Sequence, residues 1–435
     1  MLFTKIEFIN LFIILLALLS FLKNNTAKKV TLLIANFYFY AYFDYRFLLL
    51  LIFSALSTFF IGNLIQNTES LLSRKRLLIL CLLINIGILG YFKYLNFFLE
   101  NLNNIFELKN SPISSLNILL PMGISFFTFR FISYIIDIYR KDTKSCHLFD
   151  FMIYGTFFPI IISGPISRAK SFFPQLKKIE FSSFNLYKGY RLFVIGIFLK
   201  VFVADRLAGY VNFFYDHHEV FNTITAWMAV LAYSIQIYCD FAGDSNMAIG
   251  IALMLGFQIE DNFNFPYMAC SIIEFWKRWH ITLSLWIKDY LYIPLGGGRL
   301  GKRRKTINLL IAMTICGLWH GPAWTFVLWG FLHGILLVIN HSWKASSYHS
   351  FFLHSPRLYS FISWIITNVS VTLCWIFFRS NNFNQAISII QNLFSFNSIG
   401  VTCRVSKSSH FGSIILFRFW TCLQKNRKTK PFFHI

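Results

Sequence analysis

Residues 262–301 read NFNFPYMACSIIEFWKRWHITLSLWIKDYLYIPLGGGRLG, and residues 317–334 read GLWHGPAWTFVLWGFLHG. Both segments are rich in aromatic residues, and each places a histidine among apolar neighbours, His280 in the first and His320 in the second. A histidine inside a hydrophobic run costs free energy unless it has a partner or a function, so such groups at membrane depth are candidate functional residues. These two segments therefore guide the interpretation of the chain on either side of them.

The composition is that of an integral membrane protein. Hydrophobic residues make up 56% of the 435 residues and charged residues only 13%, whereas soluble domains carry about 25% charged residues. Lysine and arginine outnumber the acidic residues by 40 to 18, which gives a net charge of +22. These basic residues cluster between apolar runs, as in cytoplasmic loops. The pattern predicts a protein embedded in the lipid bilayer and argues against a nucleic-acid partner.

The apolar runs predict an all-α polytopic fold. We count about 10 to 11 membrane segments, since about 20 apolar residues are needed for a helix to span the bilayer. The run before Gly164 and Pro165 is too short to span and precedes a basic segment, which predicts a re-entrant hairpin beside a central cavity or tunnel. Polar residues near the middle of 224–257, Asp240 among them, suggest a broken helix or a second cavity wall.

The chain divides into three regions. Residues 1–115 are expected to form N-terminal transmembrane helices, and residues 380–435 a basic tail. The family resemblance described below implies that residues 116–379 form a catalytic core and that the tail is divergent or truncated. The first apolar run, 6–22, lacks a convincing cleavage site, so we expect a retained helix and not a signal peptide. The eight cysteines show no CxxC pair and are interpreted as small core residues.

His320 is the first candidate for catalysis. It lies fifteen residues after the basic loop that ends at Lys305, which corresponds to roughly 22 Å of helix in a hydrocarbon core about 30 Å thick. A neutral imidazole there can take a proton from a hydroxyl and return one to a leaving group. The alternatives are a structural histidine bound to a backbone carbonyl, or a haem or metal ligand. His333 and His341 are predicted to be packing residues, because their spacing does not suit a metal site.

His280 and a glycine-rich loop are weaker candidates. His280 follows Trp276 and Arg278, a combination that is also typical of a membrane-interface belt with snorkelling cations. Residues 296–298 are all glycine and precede Arg299 and further basic residues. Glycine-rich backbone beside cations can bind phosphates, although a flexible loop that touches anionic lipid explains the same pattern.

The two opening segments resemble the membrane-bound O-acyltransferase superfamily (MBOAT), and within it the alginate O-acetylase branch. Three further segments carry the resemblance: PMGISFFTFRFISYIIDIYR at 121–140, GPISRAK at 164–170 and YCDFAGDSNMAIG at 238–250. Arg130 departs from the pattern, since the branch is expected to have glutamine there, and it could alter acceptor preference or pair with lipid.

The resemblance implies roles for named residues. It makes His320 the general base and places His280 at the family's second polar position, where it orients the acceptor or supports the oxyanion. The substrate-binding residues that it suggests are Asp240, Ser245, Trp276, Arg278, Trp319, Gly296, Gly297 and Arg299.

The resemblance also implies a function. A chain of this kind is expected to be a bacterial inner-membrane O-acetyltransferase that modifies a cell-surface polysaccharide, such as alginate, peptidoglycan or a lipopolysaccharide sugar. Acetyl-CoA or another acyl thioester would be the donor substrate, with no bound cofactor or metal, and a periplasmic SGNH-type acetyltransferase would be a partner. D-alanyl transfer to teichoic acid is an alternative within the superfamily. A solute transporter or flippase, in which His320 and Asp240 relay protons, is an alternative outside it.

Overall fold

The computed structural model describes residues 1–106, 114–346 and 355–395, and these ranges fold as packed helices joined by short loops. Helices are the expected solution for this sequence, because a lipid-exposed backbone must satisfy its hydrogen bonds within its own segment. Several helices begin where a polar side chain accepts a hydrogen bond from a free backbone N–H. Asn24, Asp44, Ser182 and Asn222 cap their helices in this way.

Eighteen α-helices follow one another in the described ranges. They are α1 (Ile6–Phe21), α2 (Asn25–Ala41), α3 (Tyr45–Asn67), α4 (Leu71–Leu89), α5 (Leu95–Ile105), α6 (Ile124–Arg140), α7 (Leu148–Thr156), α8 (Phe158–Ile161), α9 (Ala169–Leu176), α10 (Ser183–Ile197), α11 (Asp205–Asp216), α12 (Thr223–Met254), α13 (Ile272–Arg278), α14 (Ile281–Ile287), α15 (Gly301–His320), α16 (Trp324–Lys344), α17 (Pro356–Arg379) and α18 (Phe383–Phe394). Three π-helical turns accompany them. Gly90–Tyr94 joins α4 to α5, Phe198–Ala204 joins α10 to α11, and Lys288–Tyr292 follows α14.

Five helical segments of the described chain are long and apolar enough to cross a membrane. They are α3, the continuous α4–α5 segment Leu71–Ile105, α12, α16 and α17. The prediction of an all-α polytopic membrane fold is thereby confirmed. The estimate of 10 to 11 membrane segments stays a prediction; α1 is apolar but shorter than these five.

The segment predicted to be re-entrant consists of two short helices, α7 and α8, and their residues between Phe151 and Ile161 are buried. Neither helix is long enough to span a bilayer. The N-terminal helices share one hydrophobic core with this segment and α6, through residues such as Phe8, Phe39 and Phe158. The boundaries of the three predicted regions stay a prediction, and most of the basic tail, 396–435, lies outside the described residues.

The broken helix suggested for 224–257 is wrong, because α12 runs without interruption from Thr223 to Met254. Its polar residues are satisfied from neighbouring elements. Asp240 is paired with Lys200 from the π-helical turn beside it, and Ser245 accepts a hydrogen bond from Asn262 at 3.1 Å. The second cavity wall, which was the other interpretation, is correct, since Ile237 and Phe241 of α12 line the cavity described below.

Helices α15 and α16 approach each other closely where His320 is positioned. A Cβ atom added at Gly317 would lie 3.0 Å from the Cα of Gly330, and one added at Gly330 would lie 2.9 Å from the Cα of Gly317. Such distances leave no room for a side chain, so glycine at both positions permits this packing. Interfaces of small residues are typical of membrane helices that pack backbone to backbone.

Candidate active site

Both predicted histidines line one cavity of about 280 Å³ inside the helical bundle. Residues from α6, α12, α15 and α17 surround it, together with the π-helical turn Gly90–Tyr94 and the residues before α14. The wall is largely aromatic, and the polar side chains in it are few. The lining residues are Lys93, Ser125, Phe126, Ile237, Phe241, Trp279, His280, Trp319, His320, Trp375 and Phe378.

The backbone at His280 adopts an uncommon conformation for a residue with a side chain. Its φ is 40° and its ψ is 55°, in the left-handed region, at the position just before α14. The residue is completely buried, and its ring meets that of Phe241 edge to face at 4.6 Å. Strained backbone of this kind persists where the surrounding structure holds it in place, often at functional sites.

Asn262 fixes the orientation and the tautomer of His280. The Nδ1 atom of His280 lies 3.0 Å from Oδ1 of Asn262, and the same oxygen accepts hydrogen bonds from the backbone N–H and the hydroxyl of Thr282. Because a backbone N–H can only donate, the Asn262 atom that accepts from it is the oxygen. Nδ1 of His280 must then carry a proton, so that in the neutral imidazole Nε2 holds the lone pair.

The Asn262 network connects three of the sequence segments noted above. The backbone N–H of Ile166 donates to the Thr282 hydroxyl at 3.0 Å, and the Asn262 amide donates to Ser245 at 3.1 Å. The GPISRAK, YCDFAGDSNMAIG and NFNFP segments therefore meet around one buried amide. Within the described structure, the buried Nε2 of His280 has no hydrogen-bond partner.

His320 is the last residue of α15, and the chain turns sharply at Gly321 and Pro322 before α16 begins. Its ring lies edge-on to Trp329 at 5.1 Å and to Phe378 at 5.2 Å. Its imidazole forms no hydrogen bond with another described residue. Both ring nitrogens are therefore available for chemistry.

Lys93 is a cavity residue that the sequence analysis did not select. Its Nζ atom donates to the backbone carbonyl of Trp319 and to the Ser125 hydroxyl, the latter at 3.1 Å. The next residue, Tyr94, donates its hydroxyl to the carbonyl of Leu318 at 2.9 Å. A lysine inside the Leu71–Ile105 segment was the available signal, since a charge within an apolar span is a functional candidate.

The other predicted site residues occupy different places. Trp319 lines the cavity, and Ser245 contributes to the network that holds His280. Trp276 is buried outside the wall, where its ring packs against Trp329, and Asp240 pairs with Lys200 away from the lining residues. The predicted roles of these four residues in substrate binding stay predictions.

The glycine-rich loop lies at the opposite end of α15 from His320. Gly296 and Gly297 have φ values of 105° and 57°, and the buried Asn308 donates to the carbonyl of Gly297 at 2.9 Å. Arg299 is exposed beside them. Arg278 is not part of this loop, since it pairs with Glu274 at 2.7 Å one helical turn earlier.

Two further buried groups are of interest. Arg130 is fully buried with its guanidinium carbon 4.6 Å from the centre of the Tyr154 ring, so the suggested pairing with lipid is wrong: the side chain does not reach the protein surface. Its three nitrogens have no hydrogen-bond partner among the described residues. His333 packs among the rings of Phe275, Trp276 and Trp329, which agrees with the predicted packing role.

A polytopic helical bundle with two neutral histidines in an aromatic cavity is suited to acyl transfer between a thioester and a hydroxyl. Residues 34–383 match the family model described as MBOAT, membrane-bound O-acyltransferase family. The chain belongs to this family, and it is an acyltransferase.

Similar proteins from bacteria support this family membership. The chain is 35% identical to the peptidoglycan O-acetyltransferase of Helicobacter pylori, over 94% of this chain and 80% of that protein. It is 39% identical to the probable alginate O-acetylase AlgI of Pseudomonas aeruginosa, over 92% of this chain and 76% of that protein. The teichoic acid D-alanyltransferase of Streptococcus thermophilus is 30% identical over 58% of this chain and 64% of that protein.

Proposed function

We propose that this protein transfers an acetyl group from an acetyl thioester to a hydroxyl group, in the O-acetylation of a bacterial cell-surface polysaccharide. The observation that carries the proposal is the shared cavity of His280 and His320. Similarity to O-acetyltransferases over more than nine-tenths of the chain favours acetyl transfer. D-alanyl transfer is less well supported, because the similarity to D-alanyltransferases covers 58% of the chain.

In the proposed reaction His320 is the general base. It takes the proton of the acceptor hydroxyl as the oxygen attacks the acyl carbon, and it returns that proton to the departing thiolate. The absence of a competing hydrogen bond on its ring supports this role. His280 accepts a hydrogen bond through Nε2 and so orients the acceptor. Because Nδ1 of His280 donates to Asn262, a neutral His280 has no second N–H for an oxyanion, and this favours acceptor orientation over support of the oxyanion.

The donor is proposed to be acetyl-CoA, which reaches the cavity from the cytoplasmic side. The exposed Arg299 beside Gly296 and Gly297 is suited to binding the donor's phosphates, because oriented backbone amides and cations together form anion sites. Asn308 holds the loop in one conformation. The thioester then has to reach His320 at the other end of α15, which favours a donor with a long arm between its phosphates and its acyl group.

The setting proposed for this reaction is the bacterial inner membrane. A periplasmic SGNH-type acetyltransferase is a suitable partner, because it would accept the acetyl group on the outer side and complete its transfer to the sugar. The resemblance to the alginate O-acetylase branch supports this arrangement.

The test uses purified full-length protein with radiolabelled acetyl-CoA. We expect the wild type to release CoA and to transfer label to an acceptor. The variant His320→Ala should lose on the order of 1,000-fold in turnover, as expected when a general base is removed. The variant His280→Ala should lose less, because only orientation of the acceptor is affected. His341→Ala is a matched control, since His341 contacts Lys305 away from the cavity. Undiminished turnover in a folded His320→Ala protein would refute the proposed base.

A further inference from the structure

The cavity wall includes a lysine, Lys93, that has no part in the roles proposed for the two histidines. Acyl transfer places a negative charge on the carbonyl oxygen of the donor, and catalysis requires hydrogen-bond donors aimed at that oxygen. His280 donates its Nδ1 proton to Asn262, and His320 is occupied with the proton of the acceptor. Lys93, by contrast, lines the same wall with a charged donor group.

The surroundings of Lys93 leave part of its hydrogen-bonding capacity free. A lysine ammonium group has three N–H donors, and the described hydrogen-bond partners of Nζ are the carbonyl of Trp319 and the hydroxyl of Ser125. Nζ also lies 5.6 Å from the ring centres of Tyr94 and Trp319. Within the described ranges, Lys93 forms no ion pair with a carboxylate. One donor and an uncompensated charge therefore remain beside His320.

The backbone holds this ammonium group in a fixed position. The π-helical turn Gly90–Tyr94 binds the last turn of α15 at two successive carbonyls, that of Leu318 through Tyr94 and that of Trp319 through Lys93. The Trp319 carbonyl belongs to the residue that precedes His320. The distance between the charge and the catalytic imidazole is therefore set by one short stretch of backbone. Preorganisation of this kind makes a donor effective in a site that excludes water.

We propose that Lys93 is a further catalytic residue, which donates a hydrogen bond from Nζ to the oxyanion of the tetrahedral intermediate. The acceptor oxygen forms a bond to the acyl carbon, and the π electrons of the carbonyl move onto its oxygen, beside Lys93. When the intermediate collapses, the carbonyl re-forms, the carbon–sulfur bond breaks, and the thiolate takes the proton that His320 removed from the hydroxyl. This inference rests on the proposed acetyl transfer.

A purely structural role is the competing explanation, because cations stabilise the carbonyl end of a helix. Tyr94 shows that a neutral donor suffices for a carbonyl at this helix end. The two roles differ in what they predict. A cap affects the stability of the fold, whereas an oxyanion donor affects kcat at unchanged stability and unchanged donor binding.

The experiment measures CoA release from acetyl-CoA by the purified full-length protein and by three variants. Lys93→Met removes the charge and keeps the length of the side chain. Lys93→Gln keeps a neutral donor for the Trp319 carbonyl, and so preserves the cap if Lys93→Met folds poorly. Lys200→Met is the matched control, because Lys200 also lies in a π-helical turn but is paired with Asp240 outside the cavity.

We expect kcat to fall about 100-fold or more in Lys93→Met, as in other enzymes that lose one oxyanion donor. The KM for acetyl-CoA should change by less than about threefold, and Lys93→Gln should also lose kcat while it keeps the thermal stability of the wild type. Lys200→Met should retain turnover per folded molecule. Wild-type kcat in either Lys93 variant would overturn this inference alone. A wild type that consumes no acetyl-CoA would overturn the proposed function and this inference together.

Discussion

Lys93 and Lys200 both lie in π-helical turns within apolar helices, yet their surroundings differ. Lys200, in Phe198–Ala204, pairs with Asp240 and lies 3.5 Å from a carboxylate oxygen of Asp205. Lys93, in Gly90–Tyr94, has a backbone carbonyl and a hydroxyl as its described partners. The first charge is neutralised within the protein, whereas the second faces the cavity of the two histidines.

This difference indicates that the partners of a lysine in such a turn, and not the π-helical backbone, decide whether its charge is available to a substrate. π-helical turns are often found at functional sites, but here one of the two joins α10 to α11 with its lysine neutralised. A charge that has a carboxylate partner adds little that a substrate can use. A charge held by neutral groups keeps its field available for a substrate that becomes negative during the reaction.

Among further substitutions on the cavity side, beyond those of Lys93 and His320 themselves, the largest effect is expected for Asn262→Ala. The substitution removes the oxygen that holds the proton on Nδ1 of His280, so both tautomers become accessible and the lone pair on Nε2 is no longer assured. We expect kcat to fall on the order of 100-fold, because an incorrect tautomer disables a catalytic histidine.

Steady-state CoA release would check this prediction. Ser245→Ala is the control, since it removes only the outer hydrogen bond of the same network, and its loss should stay within about tenfold. An Asn262→Ala protein that keeps full turnover would show that the orientation of His280 does not depend on the amide.

A smaller effect is expected when Lys93 is given a carboxylate partner, as Lys200 has in Asp240. In Ser125→Asp, a carboxylate would replace the hydroxyl that lies 3.1 Å from Lys93 Nζ. We expect kcat to fall about 30-fold, because a neutralised ammonium group stabilises an oxyanion less well. Ser125→Asn is the neutral control of the same size. Equal turnover in the two variants would show that the charge of Lys93 is not used.

The smallest effect concerns Arg130, a third cation, which is fully buried with its guanidinium group over the Tyr154 ring. Arg130→Gln removes a buried charge that has no hydrogen-bond partner in the described structure. We expect the free energy of unfolding to rise by about 1 kcal/mol, since a buried charge without a partner is costly. Arg74→Gln should do the opposite, because Arg74 donates to the Tyr139 carbonyl at 2.6 Å. Thermal unfolding in detergent would show whether the two shifts have opposite signs.

Much of the fold could be predicted because it follows from apolar length. The apolar runs predicted an all-α polytopic fold, and the α4–α5 segment and α17 are two of the five described segments long and apolar enough to cross a membrane. The continuity of α12 could not be predicted, because it depends on the partners of its polar residues. Asp240 is satisfied by Lys200, forty positions earlier, and a sequence pattern of one helix contains no information about that pair.

The site was predictable in part for a similar reason. His280 and His320 stand out as histidines in apolar surroundings, and the structure places both on one cavity. Asn262 and Thr282 do not stand out, because a single amide or hydroxyl is common in any loop. Lys93 belongs to the site through its contact with Trp319, 226 positions later. Contacts at such sequence separation depend on how the helices pack, which local patterns do not describe.

The cavity wall also has a consequence for biosynthesis. Trp375 and Phe378 line the cavity from α17, whereas Lys93 and Ser125 enter the membrane much earlier during translation. A chain that emerges from the ribosome therefore holds its positive charge long before it holds both histidines and this part of the wall. We expect a partly synthesised chain to leave acetyl-CoA intact, so that hydrolysis of the donor does not begin before the enzyme is complete.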